Sequence, residues 1–499
     1  MTPGPVSSGG SLLVVDVGTS GVRAAVVRPD GRVECPHHRA VLPETPAPGL
    51  VEVDARQVAA AVLELARAAL EAGGPVAGVG IANQRATTVV WDRRTGEPVA
   101  PAIGWQDLRT VGTCLALQAE GFRLAPNMSA TKLAAILDAV DPDRSRAESL
   151  CFGTVDTWVA WTLSGGILHV TDATNAAVTG LVSTDALRWD GAVLDRLGVP
   201  EAMLPAIVDS SGAVGEAGAL PGAPLICGIA GDQQASLVGQ GCVRPGMAKA
   251  TFGTGGMLDL CTGKERILAG GDRTRGPAGT FPIVAWQRGG VPTFGVEAIM
   301  LSAGTCVEWL RDDLGVLESA AESATVAAGC ETTGDVWFVP ALLGMGTPVW
   351  DFGARGTLLG VTRGTGRAEL VRAVLEGVAH RGADLLEAAE ADTGARVASL
   401  RVDGGMSANE VFVTALAEAV GRPVEISAQV EATTLGAGYL AGMASGTWRD
   451  EEDVGAAYAP QRTVEPSGTD ADRAADRQRW LAARERATGT IPELSGIAF

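Results

Sequence analysis

The chain has 499 residues, so two or more large domains are expected. Its apolar fraction of 46% is ample for real cores, and no apolar run is long enough to span a bilayer. A formal charge of −19 argues against a nucleic-acid partner or an anionic membrane surface, since both need a basic footprint.

Met1 to Gly10 is built of Pro, Gly and Ser without a basic residue, unlike a signal peptide, and a cytoplasmic protein is expected. Leu12 to Val17 is apolar around one Asp, Gly18-Thr19 turns, and Val22 to Val27 returns, which predicts a β-hairpin with a polar tip. Arg32 to Val41 is a candidate third strand, although His37-His38 reads as solvated loop. Asp54 caps a helix to about Ala72 with Val58, Val62, Leu65 and Ala69 on one face. Val76 to Ala82 is a buried strand ending in Asn83-Gln84-Arg85, and Ala86 to Trp91 is the next strand. Helices are predicted over Thr131–Val140 and Thr154–Leu163, with a loop over Asp209–Ala223.

The apolar run Pro224 to Cys227 then leads through two glycines into Asp232, where α/β sheets place ligands. A second glycine-threonine turn, Gly253-Thr254-Gly255-Gly256, follows inside a β pattern. Ala298 to Leu310 reads as helix, as does Arg367 to about Asp392. Leu400 to Asp403 is a strand stopped by Gly404-Gly405, and Ser407-x-x-Glu410 reads as a capping box for the helix to Val420. Val424–Ile426 is a strand, Thr434–Met443 a small-residue helix, and the charged tail after Gly446 a surface helix. Each half opens with an apolar glycine-threonine hairpin and continues in βα units, so two related α/β domains with a cleft between them are expected.

The eight cysteines are scattered without CxxC and there are four histidines, so free thiols are expected rather than a structural zinc site. Gly18-Thr19-Ser20-Gly21 would surround an anion with backbone N–H groups and two hydroxyls, Asp16 would hold a metal through water, and Arg23 would offset phosphate charge. The spacing is neither that of a Walker loop nor GxGxxG. Asp232 is either a general base that aims an attacking hydroxyl or the cap of the helix beginning at Gln233. Arg85 either grips hydroxyls or carries a salt bridge, and Trp105 either walls a pocket or belongs to a core. Gly405 and Asn409 stand at a strand-to-helix turn open to a nucleotide, or at an ordinary turn and cap.

Taken together, Asp16–Ser20, Ile81–Asp92, Gly153–Trp158, Gly228–Gln234, Asp351–Gly364 and Val402–Gly405 with Asn409 resemble the FGGY family of carbohydrate kinases, most closely its glycerol kinases, with matches from about residue 12 to 445. The resemblance implies two actin-like (ribonuclease-H-like) ATPase domains, residues 1–246 and 247–499 with a helical tail after about 446, closing on ATP and Mg²⁺. It places Gly18, Thr19, Ser20, Gly21, Arg23, Gly253, Thr254, Gly304, Glu308, Gly405 and Asn409 on the nucleotide. Asp16, through water, and Asp232 face the metal. Arg85, Ala86, Trp105, Asn127, Asp232, Gln233 and Met257 line the pocket for a small polyol or sugar, and a homodimer or homotetramer is implied.

Departures from that family are concentrated in the pocket. Ala86 stands where glycerol kinases carry Glu, Asn127 where they carry Tyr, and Met257 where an aromatic wall falls. A charged hydrogen bond is worth ~1.5–3 kcal/mol, so losing the Glu alone weakens glycerol roughly 10- to 100-fold. A larger polyol or sugar is expected, against a glycerol kinase with compensating contacts, or a non-catalytic sugar sensor on the same fold. Ala223 stands where bisphosphate-regulated glycerol kinases carry Arg, so that regulation is not carried over.

Overall fold

The computed structural model describes residues 9–183, 187–266, 274–428 and 431–497; Met1–Ser8, most of the stretch compared with a signal peptide, lie outside them. The N-terminal hairpin forms as the alternation dictates. Strands β1 (Leu12–Gly18) and β2 (Gly21–Val27) pair antiparallel across Thr19-Ser20, and β3 (Val33–Ala40) pairs with β2. Helix α1 (Ala55–Gly73) starts where Asp54 accepts hydrogen bonds from the Arg56 and Gln57 amides, and it buries Val58, Val62, Leu65 and Ala69. Then come β4 (Gly78–Asn83), α2 (Val155–Ser164), β5 (Ser211–Glu216), β6 (Leu225–Gly231) and α3 (Asp232–Gly239). The sheet runs β5-β6-β4-β1-β2-β3, with β4 parallel to both β1 and β6.

The second half repeats this plan. Its elements are β7 (Ala248–Phe252), β8 (Gly256–Gly263), β9 (Phe281–Arg288), β10 (Val291–Met300), α4 (Arg367–Thr393), β11 (Leu400–Asp403), α5 (Glu410–Val420), β12 (Val424–Ser427), α6 (Ala432–Ser445), β13 (Pro460–Val464) and α7 (Asp470–Arg486). Its sheet runs β13-β12-β11-β7-β8-β10-β9. The core order β10-β8-β7-β11-β12 therefore matches β3-β2-β1-β4-β6, and the hairpin repeat read in the sequence is a repeat of topology. Among the described residues the strand register joins the two sheets at Ser211 with Arg288, and Gln287 adds hydrogen bonds to Ser210 and Asp209.

Two helices cross between the halves, α3 from the first and α6 from the second. They touch backbone to backbone: a Cβ on Gly436 would lie 1.7 Å from the Ala235 carbonyl oxygen, and one on Gly239 would lie 1.9 Å from that of Ala432.

Several expectations need correction. The segment Ala298–Leu310 is not one helix. Strand β10 runs through Met300 because it pairs with β8 on one side and β9 on the other, and only Gly304–Glu308 is α-helical. The expected loop over Asp209–Ala223 contains β5, and His37-His38 lie within edge strand β3 rather than a loop. The strand expected from Ala86 begins at Val89, since Ala86 has φ of 60°, which no strand accepts. The cap of α5 is Asn409, whose side chain accepts from the Val411 and Phe412 amides; Ser407 instead donates to the Gly404 carbonyl. The tail does more than coat the surface, for Trp480 of α7 is fully buried and β13 extends the sheet.

Candidate active site

The N-terminal hairpin carries one buried carboxylate at its tip. Asp16, near the end of β1, is 4% exposed and faces the Arg23 guanidinium at 3.6 Å; Arg23 also reaches Glu431 at 3.7 Å. Burial pushes the Asp16 carboxyl up to about 7, against the pull of Arg23 and with a push from Asp232 and Glu431. Ser20 is exposed at the turn. The indole of Trp105 donates to the Thr19 hydroxyl at 3.2 Å, so this tryptophan forms a wall joined to the hairpin. The Gln84 amide braces the same turn from below, donating to the Gly18 carbonyl at 3.3 Å.

The next group lies where β6 meets α3. Gly231 occupies the cap position of α3 and Asp232 begins the helix, with no capping bond from a side chain, so the cap reading of Asp232 fails. One Asp232 oxygen accepts from the Gln233 amide at 2.8 Å and faces Arg85 Nε at 3.5 Å. Its other oxygen has no hydrogen bond among the described residues. Burial raises the Asp232 carboxyl above the usual range, while Arg85 and Lys249 restrain it. Arg85 reaches across to Glu297 of β10 at 2.8 Å, and its Nη1 is buried without a hydrogen-bond partner among the described residues. Ala86 follows in the left-handed region and is buried; its carbonyl accepts from the Ser129 hydroxyl at 3.0 Å. Asn127 is exposed, and Met257 is half-buried opposite Thr251.

The C-terminal hairpin is more tightly built. The Gly304 amide donates to the Gly253 carbonyl at 2.8 Å, and a Cβ on Gly304 would stand 2.5 Å from that oxygen, so only glycine brings this helix start onto the turn. Thr254 is exposed, and its carbonyl accepts from Ala303 and Thr305. Gly404 (φ 88°) presses β11 against β7, leaving Gly405 exposed beside open space. Asn409 spends its oxygen on the α5 cap and its nitrogen on the Ser323 hydroxyl at 3.0 Å. Glu308 is exposed.

The structure therefore brings together Asp16, Thr19, Arg23 and Trp105 on one side, Arg85, Asp232 and Gln233 at the centre, and Gly253, Thr254 and Gly304 on the other. The sequence reading missed Lys249, Asp259 and Glu297, which support the centre from the second domain. The available signal was a lone charge in each of three apolar strands: Ala248-Lys249-Ala250, Leu258-Asp259-Leu260 and Val296-Glu297-Ala298. Asp16, with hard oxygens and no ion-pair partner but Arg23 among the described residues, is suited to a divalent cation such as Mg²⁺.

A duplicated α/β domain with a glycine-threonine hairpin in each half and a carboxylate at the strand end between them is the architecture of a carbohydrate kinase. The chain belongs to the FGGY family of carbohydrate kinases, whose N-terminal domain matches residues 11–239 and whose C-terminal domain matches residues 248–445. It is similar to a glycerol kinase of Aromatoleum aromaticum, 41% identical over 96% of this chain and 99% of the relative, and to one of Trichlorobacter lovleyi, 42% identical over 96% and 99%. The solved structure of Plasmodium falciparum glycerol kinase with ADP matches with a TM-score of 0.88 at 26% identity, covering 96% of this chain and 98% of that one.

Proposed function

We propose that the protein transfers the terminal phosphoryl group of ATP to a hydroxyl of a small polyol or sugar, with Asp232 as general base. One observation carries this reading: a buried, unpaired donor (Arg85 Nη1) belongs to the residue that flanks a carboxylate with an unengaged oxygen (Asp232). A hydroxyl both donates and accepts, so one donor and one acceptor side by side suit it. Burial raises the affinity of Asp232 for a proton, which strengthens it as a base, and the charges of Arg85 and Lys249 pull the other way. Thr19, Ser20, Arg23, Gly253, Thr254 and Gly405 are the groups we assign to the nucleotide phosphates and sugar, and Asp16 to Mg²⁺. Bound Mg²⁺ supplies charge neutralisation on the phosphates.

The altered residues Ala86, Asn127 and Met257 support a substrate larger than glycerol. A second reading, glycerol itself, is favoured by Glu297, which sets a carboxylate 2.8 Å from Arg85 in place of the Glu absent at position 86. ADP release against glycerol, tetritols, pentitols and ketopentoses separates the two. A larger acceptor should dominate with glycerol at least tenfold poorer; glycerol turnover with a micromolar KM selects the second reading. Asp232→Asn should lower kcat by roughly 10²- to 10⁴-fold while ATP still binds, and an active Asp232→Asn enzyme removes the base assignment.

A further inference from the structure

Lys249 is fully buried in the strand that leads into the second hairpin. Its ammonium donates to the Gln233 side-chain oxygen at 2.7 Å and the Thr251 hydroxyl at 3.1 Å, and it pairs with Asp259 at 2.8 Å. An ammonium has three donors and no acceptor; two of these donors are spent on the hydrogen bonds, and the charge is offset by the ion pair with Asp259. The same chemistry fixes the Gln233 amide: only its oxygen can face Lys249, and its NH₂ must point the other way. Gln233 adjoins Asp232 in the first turn of α3, is half-buried, and its NH₂ has no protein acceptor among the described residues.

Lys249 is itself held by a row of charges. Strand pairing sets Glu425, Arg401, Lys249, Asp259 and Glu297 side by side across β12, β11, β7, β8 and β10. Like charges stand next to each other twice in this row, an arrangement that repels unless each is offset. Glu425 offsets Arg401 at 3.2 Å, Asp259 offsets Lys249, and Arg85 from the other domain offsets Glu297. Arg401 also donates to the Gln240 carbonyl at the far end of α3. The row thus grips α3 at both ends.

We propose that Lys249 is a positioning residue that locks the Gln233 amide so that its NH₂ donates to a hydroxyl of the acceptor substrate, with Asp259 as the counter-ion that keeps Lys249 in place. The identity of that ligand rests on the polyol or sugar kinase reading above. The Lys249→Met/Asp259→Leu variant removes both partners of this ion pair together, and the buried Asp403 carboxyl, whose charge Lys249 also offsets, keeps its hydrogen bond from the Ser236 hydroxyl. With the best acceptor found for the wild type, its acceptor KM should rise about tenfold, the worth of one net hydrogen bond, with the KM for ATP unchanged within twofold. Adding Gln233→Ala should bring no further loss. An equal rise in the KM for ATP, or a full multiplicative effect of Gln233→Ala, overturns the proposal.

A second readout needs no turnover. In protein labelled with ¹⁵N-glutamine, the Gln233 NH₂ pair, assigned by its disappearance in Gln233→Ala, should move toward the free-glutamine position in the double variant. An unmoved pair overturns the lock even if an acceptor is found. A wild type that phosphorylates none of the tested polyols or sugars counts against the functional reading, and the spectrum still decides whether Lys249 holds Gln233.

Discussion

Val14 stands four residues before Gly18 in the first hairpin, and Lys249 stands four before Gly253 in the second. The strand row through Val14 reads Gly228, Gly80, Val14, Ala25; the row through Lys249 reads Glu425, Arg401, Lys249, Asp259. These equivalent rows face equivalent crossing helices and meet them in opposite ways. Helix α6 brings its backbone directly onto the glycines of the first row: a Cβ on Gly80 would lie 2.5 Å from the Ala437 oxygen, and one on Gly228 would lie 2.5 Å from the Ala441 nitrogen. Helix α3 meets the second sheet through long charged side chains that end on Gln233 and the Gln240 carbonyl. One topology is thus closed by steric contact on one side and by charged hydrogen-bond donors on the other. The helix that bears Asp232 and Gln233 is the one held by charge, and its supports can be altered one at a time, whereas close backbone packing tolerates almost no change.

The sharpest way to break the comparison is at the helix crossing. Gly436→Val should remove more than about 4 kcal/mol, a large share of a typical folding free energy, because the 1.7 Å approach to Ala235 is to backbone and cannot be relieved by a side chain turning away. Soluble yield and a thermal melt measure it; a variant that melts near the wild type would show that the helices separate freely. On the charged side, Lys249→Met alone should lose roughly 3–5 kcal/mol, since it strands Asp259, while Lys249→Met/Asp259→Leu should recover most of that. Equal losses in the single and double variants would mean that Lys249 acts through its packing rather than its charge.

Proton uptake sharpens the same contrast. Burial and the neighbouring Asp259 push the Glu297 carboxyl up to about 7, against the pull of Arg85. The folded state then holds that proton more tightly than the unfolded chain, so Glu297 contributes a stability that is greatest below about 4.5 and declines as pH rises toward 7. Glu297→Gln has no such proton to lose. Its stability relative to wild type should therefore improve between pH 4.5 and 7 and level off above, as denaturant melts across that range would register. A constant difference would mean that Arg85 keeps Glu297 ionised throughout.

Much of this architecture was legible in the chain. The alternation around Gly18 and Gly253, the Asp54 cap and the run into Asp232 are local signals, and each formed where expected. The charged row was not legible, because Lys249, Asp259, Glu297, Arg401 and Glu425 become neighbours only through strand register. Read singly, each is an ordinary charge in an apolar strand. Ala298–Leu310 misled for the converse reason: its Ala, Leu and Val content suits a helix, but pairing on both edges of β10 prevails. Ser407 and Asn409 both offer cap chemistry, and only the extended backbone at Asn409 decides between them.

The smallest expected effect lies just past β4, where the first sheet enters the pocket. Ala86 holds φ of 60° beside Arg85, a conformation that costs a residue with a Cβ about 1–2 kcal/mol. Ala86→Gly removes that strain but loosens the unfolded chain, which opposes it by ~0.4–1 kcal/mol. The strain term is at least as large, so the variant should gain between about 0 and 1.6 kcal/mol, read as a small rise in the urea midpoint at unchanged slope. The Ser129 bond to the residue 86 carbonyl needs no side chain and should hold the turn in place. A net loss instead would mean that the Ala86 methyl packs against the pocket wall strongly enough to offset its strain, and that the first sheet secures the substrate end, like the helix crossing, through close contact.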